Sequence, residues 1–445
     1  VGSLTADGRP SGPAAGTPGT GTPDTADRAE IGAEFPPPPA ELYDFYRRAR
    51  PAAPVFYAPS VDLWVATRYD DVLTVLRDGE RFEKHENIPP STLVPEAARI
   101  VEQIGMAPTF ELNPPEHTRV RRHINRAFTA QRVNRMEPVI TAMADELLTE
   151  IEPTGRADIV DTYCFPLPAR IIFDMMGVPA ADLRQVGDVW SRAYVELFFS
   201  EVPEDRQVAC AEANLAYWEY CVELVEDRRR HPRQDLVSAL LAPAPEGDAP
   251  LTTAEIVSLC AVLVVAGHEN TTRMLANTLL LLLQDRRRWE ALVTDPAGPA
   301  GAAAVVEETL RYESPLNGLW YYARRDVELG GVEIPKGGRV FASFAAANHD
   351  ETYFADPETW DPYRKSAAKH LTFGAGIHSC FGASLARLTG RVAIEALARR
   401  LPSLRMEDQP LDWVPMFVPR GVQALLVAWD AAGDGDHRDD RERAP

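Results

Sequence analysis

Positive charge is in short supply. Against 66 aspartates and glutamates stand 46 lysines and arginines, a formal net charge of -20 at pH 7. Phosphate backbones are bound through clustered Lys and Arg, so this balance argues against nucleic acid as a partner and against an anionic membrane surface. Cysteine is scarce as well. The five cysteines, Cys164, Cys210, Cys221, Cys260 and Cys380, are odd in number, scattered and without a CxxC pair. Neither a disulfide framework nor a zinc site is indicated, and a reducing cytoplasm fits best. Long hydrophobic runs are missing. The longest, Ile256–Ala266 and Leu275–Leu283, are split by Gly267-His268-Glu269-Asn270, and neither half reaches bilayer length. No glycine-rich stretch lies in the strand–turn–helix setting of a nucleotide-binding fingerprint.

What is present is one large folded body in a chain of 445 residues. Residues 1–34, rich in Gly, Pro, Thr and Ala, read as a disordered leader, and residues 431–445 as a disordered tail. The domain is expected over 35–430. Pro54–Tyr57 and Leu63–Thr67 are short strand candidates, and Asp70 opens a helix. Phe82–Pro115, with its many prolines, reads as a long functional loop. Thr252-Thr253-Ala254-Glu255 is a capping box. It opens a helix continuing to about Gln284, apolar nearly all round in its first half and so buried. A helix over Ala302–Tyr312 and strands at Val327–Leu329, Val332–Ile334 and Arg339–Phe341 follow. The fold class is mainly α with small β-sheets.

The strongest chemical signal is Phe373-Gly374-Ala375-Gly376-Ile377-His378-Ser379-Cys380-Phe381-Gly382. Two glycines permit a tight loop whose backbone approaches a flat ligand closely. Cys380 precedes a helix beginning near Ser384, and helix N-terminal amides lower a thiol pKa. A thiolate axial ligand pushes electron density to iron and favours O–O cleavage. The other four cysteines read as buried free thiols.

This stretch resembles the haem-binding loop of the cytochrome P450 family, and further segments match in order, so the resemblance covers about residues 35–430. Glu308-Thr309-Leu310-Arg311 resembles the family's ExxR element, whose i,i+3 spacing puts both side chains on one helix face. Arg364 resembles the third member of that structural network. The resemblance implies a triangular, helix-rich single domain with a long central distal helix, haem b (iron protoporphyrin IX) as cofactor and Cys380 as the metal ligand. Phe373, Gly374, His378, Cys380 and Gly382 are then cofactor-binding, as are His117 and Arg121 through the propionates. Tyr321 stands where many members place a propionate-binding arginine; it brings a hydroxyl but no charge, with Arg324 or Arg325 as candidate replacements.

Ala266-Gly267-His268-Glu269-Asn270-Thr271-Thr272 resembles the family's oxygen-activating helix segment. Glu269 matches its acid, but Asn270 stands where a threonine is expected. Both are implied as catalytic, with Ala266 and Gly267 leaving room for dioxygen (O2), the co-substrate. Asn270 is expected to order oxygen or a polar group of the substrate. An amide holds water or dioxygen by hydrogen bonds yet relays protons less well than a hydroxyl. Thr271 is turned by about 100° from that position. Pocket candidates are the Phe82–Glu111 loop, Val265, Ala266, Leu316–Trp320 and Met416–Val418. With no flavin or nicotinamide domain in the remaining length, electrons are expected from a ferredoxin with its NAD(P)H-dependent reductase. Arg119, Arg122, Arg126, Arg387 and Arg391 are the candidate dock. The expected activity of this cytoplasmic, monomeric protein is monooxygenation of a hydrophobic small molecule. Two alternatives stay open. One is oxidative coupling or ring closure on an intermediate of secondary metabolism. The other is non-catalytic haem sensing.

Overall fold

The computed structural model describes residues 25–84, 93–199, 202–244 and 247–430. The expected tail at 431–445 lies outside the described residues. The expected leader does so only as far as residue 24, because Thr25–Ala33 is a helix. Its Ile31 is buried among Phe35, Phe45 and Phe56, so the folded body begins before Phe35. A single buried side chain on a short polar helix leaves no clear amphipathic pattern to read.

Helices dominate, with three small sheets among the described residues. The largest sheet runs in the order Val55–Ala58, Leu63–Ala66, Arg339–Ser343, Gly318–Ala323, Phe82–Glu83. Leu63–Ala66 and Arg339–Ser343 pair in parallel, and the remaining pairs are antiparallel. Arg156–Asp158, Leu426–Ala428 and Arg405–Met406 form a second sheet, Val327–Leu329 and Val332–Ile334 a third. The region expected as an irregular loop after Phe82 holds that short edge strand and a helix, Pro95–Val101. Residues 85–92 of it lie outside the described residues.

The capping box is formed as expected. Glu255 N donates to Thr252 Oγ1 at 3.2 Å and Thr252 N to Glu255 Oε2 at 2.8 Å. The helix it opens, Thr253–Leu283, has 31 residues, about 46 Å at the usual rise. This central helix belongs to two cores. Ile256 to Val264 pack with the Pro166–Met176 and Glu204–Arg230 helices. Met274 to Leu283 pack with Glu137–Ile151, Ala302–Tyr312 and Ala383–Arg400. Ala266 to Arg273 belong to neither core, and this middle stretch borders the site.

Candidate active site

The loop carrying Cys380 is fixed by its own backbone. Cys380 N donates to Phe373 O at 2.8 Å and Gly374 N to Leu371 O at 2.7 Å. Gly374 and Gly376 take φ of 67° and 71°, a region that disfavours side chains. A Cβ on Gly376 would also lie 2.5 Å from Leu76 O, so the loop can touch the Tyr69–Arg77 helix only with glycine there. The Ala383–Arg400 helix starts just past the cysteine. The amides of Gly382 and Ala383 and the guanidiniums of Arg121 and Arg387 act to lower the thiol pKa. Cys380 is exposed to the cavity, yet desolvation by the protein around it outweighs them, and the net shift is upward. The helix amides act in the expected direction, but the low dielectric of the site opposes a lone anion, and an iron ion there would favour it.

Behind the loop stands the expected ion network. Arg311 Nε and NH2 meet the Glu308 carboxylate at 2.9 and 2.7 Å, and Arg364 Nε meets it at 3.1 Å. Asp361 N adds a fourth bond at 3.0 Å. Arg311 also donates to Asn348 O and Pro357 O, each at 2.9 Å. Asn348 passes the connection on, because its side chain bonds Leu371 N at 2.7 Å and Thr372 Oγ1 at 2.9 Å. Thr372 leads directly into Phe373. Glu308 and Arg311 are fully buried, so their charges are tolerable only because they are paired and hydrogen-bonded throughout.

A cavity of about 410 Å³ lies between this loop and the central helix. Every expected site residue borders it: His117, Arg121, Glu269, Asn270, Tyr321, Phe373, Gly374, His378, Cys380 and Gly382. His117 and Arg121 share one face of the Glu116–Ala127 helix. The His117 and His378 rings lie 4.5 Å apart, and Arg121 NH2 donates to Ser379 O at 2.6 Å. Burial pushes His117 down, with Arg121 adding to it. Burial, His117, Lys84 and Arg121 push His378 down to about 3. Basic groups repelling one another, with no carboxylate paired to His117, Arg121 or His378 among the described residues, fit the two propionates of haem.

Lys84, within the Phe82–Glu111 stretch expected to line the pocket but not among the expected cofactor-binding residues, also belongs to this wall. It lines the cavity, its Nζ lies 4.0 Å from the centre of the Tyr321 ring, and burial pushes it down to about 7. Its place follows from strand register alone, which its neighbours in sequence do not reveal. The replacements expected for the missing arginine serve elsewhere. Arg324 pairs with Glu83 at 3.2 Å and donates to Gly79 O at 3.0 Å, and neither it nor Arg325 borders the cavity.

On the central helix, Arg273 holds Glu269 through two bonds to Oε1, at 3.0 and 2.6 Å. Asn270 faces the cavity with no side-chain partner among the described residues. The Thr271 hydroxyl turns back to Gly267 O at 3.1 Å, as expected of a residue that does not replace the missing threonine. Gly267 borders the cavity too, and a Cβ there would lie 2.8 Å from Ile172 Cδ1, so its missing side chain also admits the neighbouring helix. Ala266 faces the cavity. Of the pocket candidates, Lys84, Thr109, Phe110, Glu111, Val265, Leu316, Leu319, Trp320 and Val418 line it as well. Met416 and Phe417 line an outer cavity of about 1110 Å³ instead, which shares Val195, Glu269, Trp320, Val418 and Pro419 with the inner one. Phe82 is core.

The arginines expected as a dock are engaged within the chain. Arg119 pairs with Glu255, Arg122 with Asp248 at 2.8 Å, Arg387 with Glu307 at 2.7 Å and Arg391 with Glu137 at 2.9 Å. Arg126 donates to Pro243 O at 2.8 Å. The remaining cysteines are buried and free. Burial pushes their thiols up, Cys210 to about 11 and Cys221 to about 12, which leaves them inert. No helix among the described residues is long and apolar enough to cross a membrane.

Comparison with known proteins gives a consistent answer. A sequence model described as Cytochrome P450 matches residues 302–423. Cytochrome P450 107B1 of Saccharopolyspora erythraea is 36% identical, the alignment covering 85% of this chain and 92% of that one. Cytochrome P450 monooxygenase PikC of Streptomyces venezuelae is 34% identical over 94% of this chain and 98% of that one. Among solved structures, cytochrome P450 CREJ in complex with (4-ethylphenyl) dihydrogen phosphate superposes with a TM-score of 0.84 at 29% identity, over 90% of this chain and all of that one.

Proposed function

Since this chain belongs to the cytochrome P450 family, we propose that it is a haem-thiolate monooxygenase, with Cys380 as iron ligand and a hydrophobic small molecule as substrate. In the reaction one atom of dioxygen enters the substrate as a hydroxyl, an epoxide or the oxygen that leads to dealkylation. The other leaves as water, with a pair of electrons and a pair of protons supplied from outside. The observation that carries this reading is the cavity wall itself: a lone cysteine on one side and, beside it, His117, Arg121 and His378, none of them paired with a carboxylate among the described residues.

Bound haem would supply dioxygen activation, its iron on Cys380 and its propionates near His117, Arg121 and His378. Glu269 and Asn270 serve the opposite wall. Glu269 keeps Oε2 free of its Arg273 bonds and borders both cavities, a position suited to passing protons inward from the outer one. Asn270 offers an amide donor and acceptor to dioxygen, to water or to a polar group of the substrate. The two cavities together suit a molecule that extends beyond the inner one. Electrons come from a ferredoxin and an NAD(P)H-dependent reductase. The five arginines give little support to a dock of free cations, so the partner's footprint is to be found by cross-linking. The chain works as a cytoplasmic monomer.

The test is the difference spectrum of the reduced, carbon-monoxide-bound protein. The wild type gives the thiolate-type band, while Cys380→His retains haem and loses both that band and turnover. A Cys380→His protein with an unchanged band refutes Cys380 as the ligand. Asn270 gives weight to a second reading, coupling or ring closure without oxygen insertion. Isotopically labelled dioxygen separates the two by the presence or absence of label in the product.

A further inference from the structure

We propose that Lys84 supplies the propionate counter-charge that Tyr321 lacks. The inference rests on the reading that this cavity holds haem. It starts from the charge inventory. A carboxylate taken into a low-dielectric site needs a cation or several donors beside it. Tyr321 is 3% exposed, and burial raises its hydroxyl pKa, so it stays neutral. Arg324, just past the end of the strand, is engaged with Glu83 and Gly79 and does not border the cavity.

Register puts Lys84 where it is needed. Phe82 pairs with Ala323 and Glu83 with Tyr322 in the antiparallel edge of the sheet. The ladder ends at Glu83, and continuing its register by one residue brings Lys84 alongside Tyr321. Its ammonium lies over the tyrosine ring at 4.0 Å and donates to Trp320 O at 3.1 Å. An ammonium has three donors, and that single bond is the one its Nζ makes among the described residues. No carboxylate pairs with it there, though Glu111 lies close enough to act on it through space.

The backbone of Lys84 is held as firmly as its side chain is open. Lys84 N donates to Asn113 Oδ1 at 3.0 Å, and Asn113 Nδ2 returns a bond to Lys84 O at 2.7 Å. Asn113 O in turn accepts from His117 N at 3.0 Å. One asparagine therefore ties Lys84 to the first turn of the helix that carries His117 and Arg121. Lys84, His117 and Arg121, with Tyr321 and His378, all border the one cavity.

The test compares Lys84→Met and Lys84→Arg with the wild-type holoenzyme. Lys84→Met is expected to shift the propionate bending bands in the resonance Raman spectrum. It should also release haem to excess apomyoglobin about tenfold faster, the loss of one charge-assisted hydrogen bond. Lys84→Arg restores the charge and should stay within about twofold of wild type. If Lys84→Met does not fold, Lys84→Gln takes its place in the same comparison. Unchanged haem release overturns the proposal. Faster release with unmoved propionate bands also does, because it leaves Lys84 a merely structural role. A wild-type protein without the thiolate-type carbon-monoxide band would instead overturn the haem-thiolate reading, whatever Lys84 does.

Discussion

On one side of the cavity the Glu308 carboxylate accepts four hydrogen bonds, from Arg311 twice, Asp361 and Arg364. On the other side the Asn270 amide has no partner among the described residues. Both are polar groups inside the same protein, and the difference separates structural from chemical work. A fully bonded buried charge holds the loop of Cys380 in one shape. An amide left open beside a cavity keeps its donors and its acceptor for whatever binds there.

The largest expected effect attacks the saturated side. Glu308→Gln leaves the Arg311 guanidinium buried without a counter-charge and should cost about 3–5 kcal/mol in urea unfolding. A loss below about 1 kcal/mol would show that backbone carbonyls alone satisfy Arg311 and would erase the contrast. Next comes pH. His268, two residues before Asn270 on the central helix, is buried, bonds Ser191 Oγ at 2.6 Å and leaves Nδ1 without a partner. Burial pushes it from 6.5 down to about 4, against Glu269, with Arg273 and Arg192 adding to the fall. The unfolded chain therefore takes up a proton that the folded chain refuses. This contribution is fully present above pH 6.5 and falls by up to about 3 kcal/mol toward pH 4. His268→Gln should flatten that slope, and an identical slope in the variant would remove His268 as its source. The smallest effect on stability belongs to the open side. Asn270→Ala should change unfolding free energy by less than about 0.5 kcal/mol, while electron use uncouples from product formation and the product distribution shifts. Unchanged coupling together with an unchanged distribution would leave Asn270 no chemical role.

Much of the saturated side is legible in the sequence because its causes are local. The capping box spans Thr252 to Glu255, Glu308 and Arg311 are one helical turn apart, and the glycines of the Cys380 loop are contiguous with the cysteine. The Val55–Ala58 and Leu63–Ala66 strands emerge within one residue of the expected ends for the same reason. What escapes is set by neighbours distant in sequence. Gly267 answers to Ile172, Lys84 to the register with Tyr321, and Arg122 to Asp248, none of which a local pattern encodes. The direction of the Cys380 thiol escapes for another reason: the amides near it are visible in the sequence, but the desolvation that outweighs them is a property of the folded volume.

The central helix behaves as a beam clamped at both ends. Ile256–Val264 and Met274–Leu283 sit in separate cores, and Ala266–Arg273 bridges the span between them. Residues in a clamped end answer to the neighbours packed around them, so substitution there is charged to the fold. Residues at mid-span that face the cavity, Ala266 and Asn270 foremost, answer to whatever occupies it. Such an arrangement lets the side chains over the reaction centre change while the frame stands, and an asparagine where the resemblance leads one to expect threonine is the kind of difference this freedom permits.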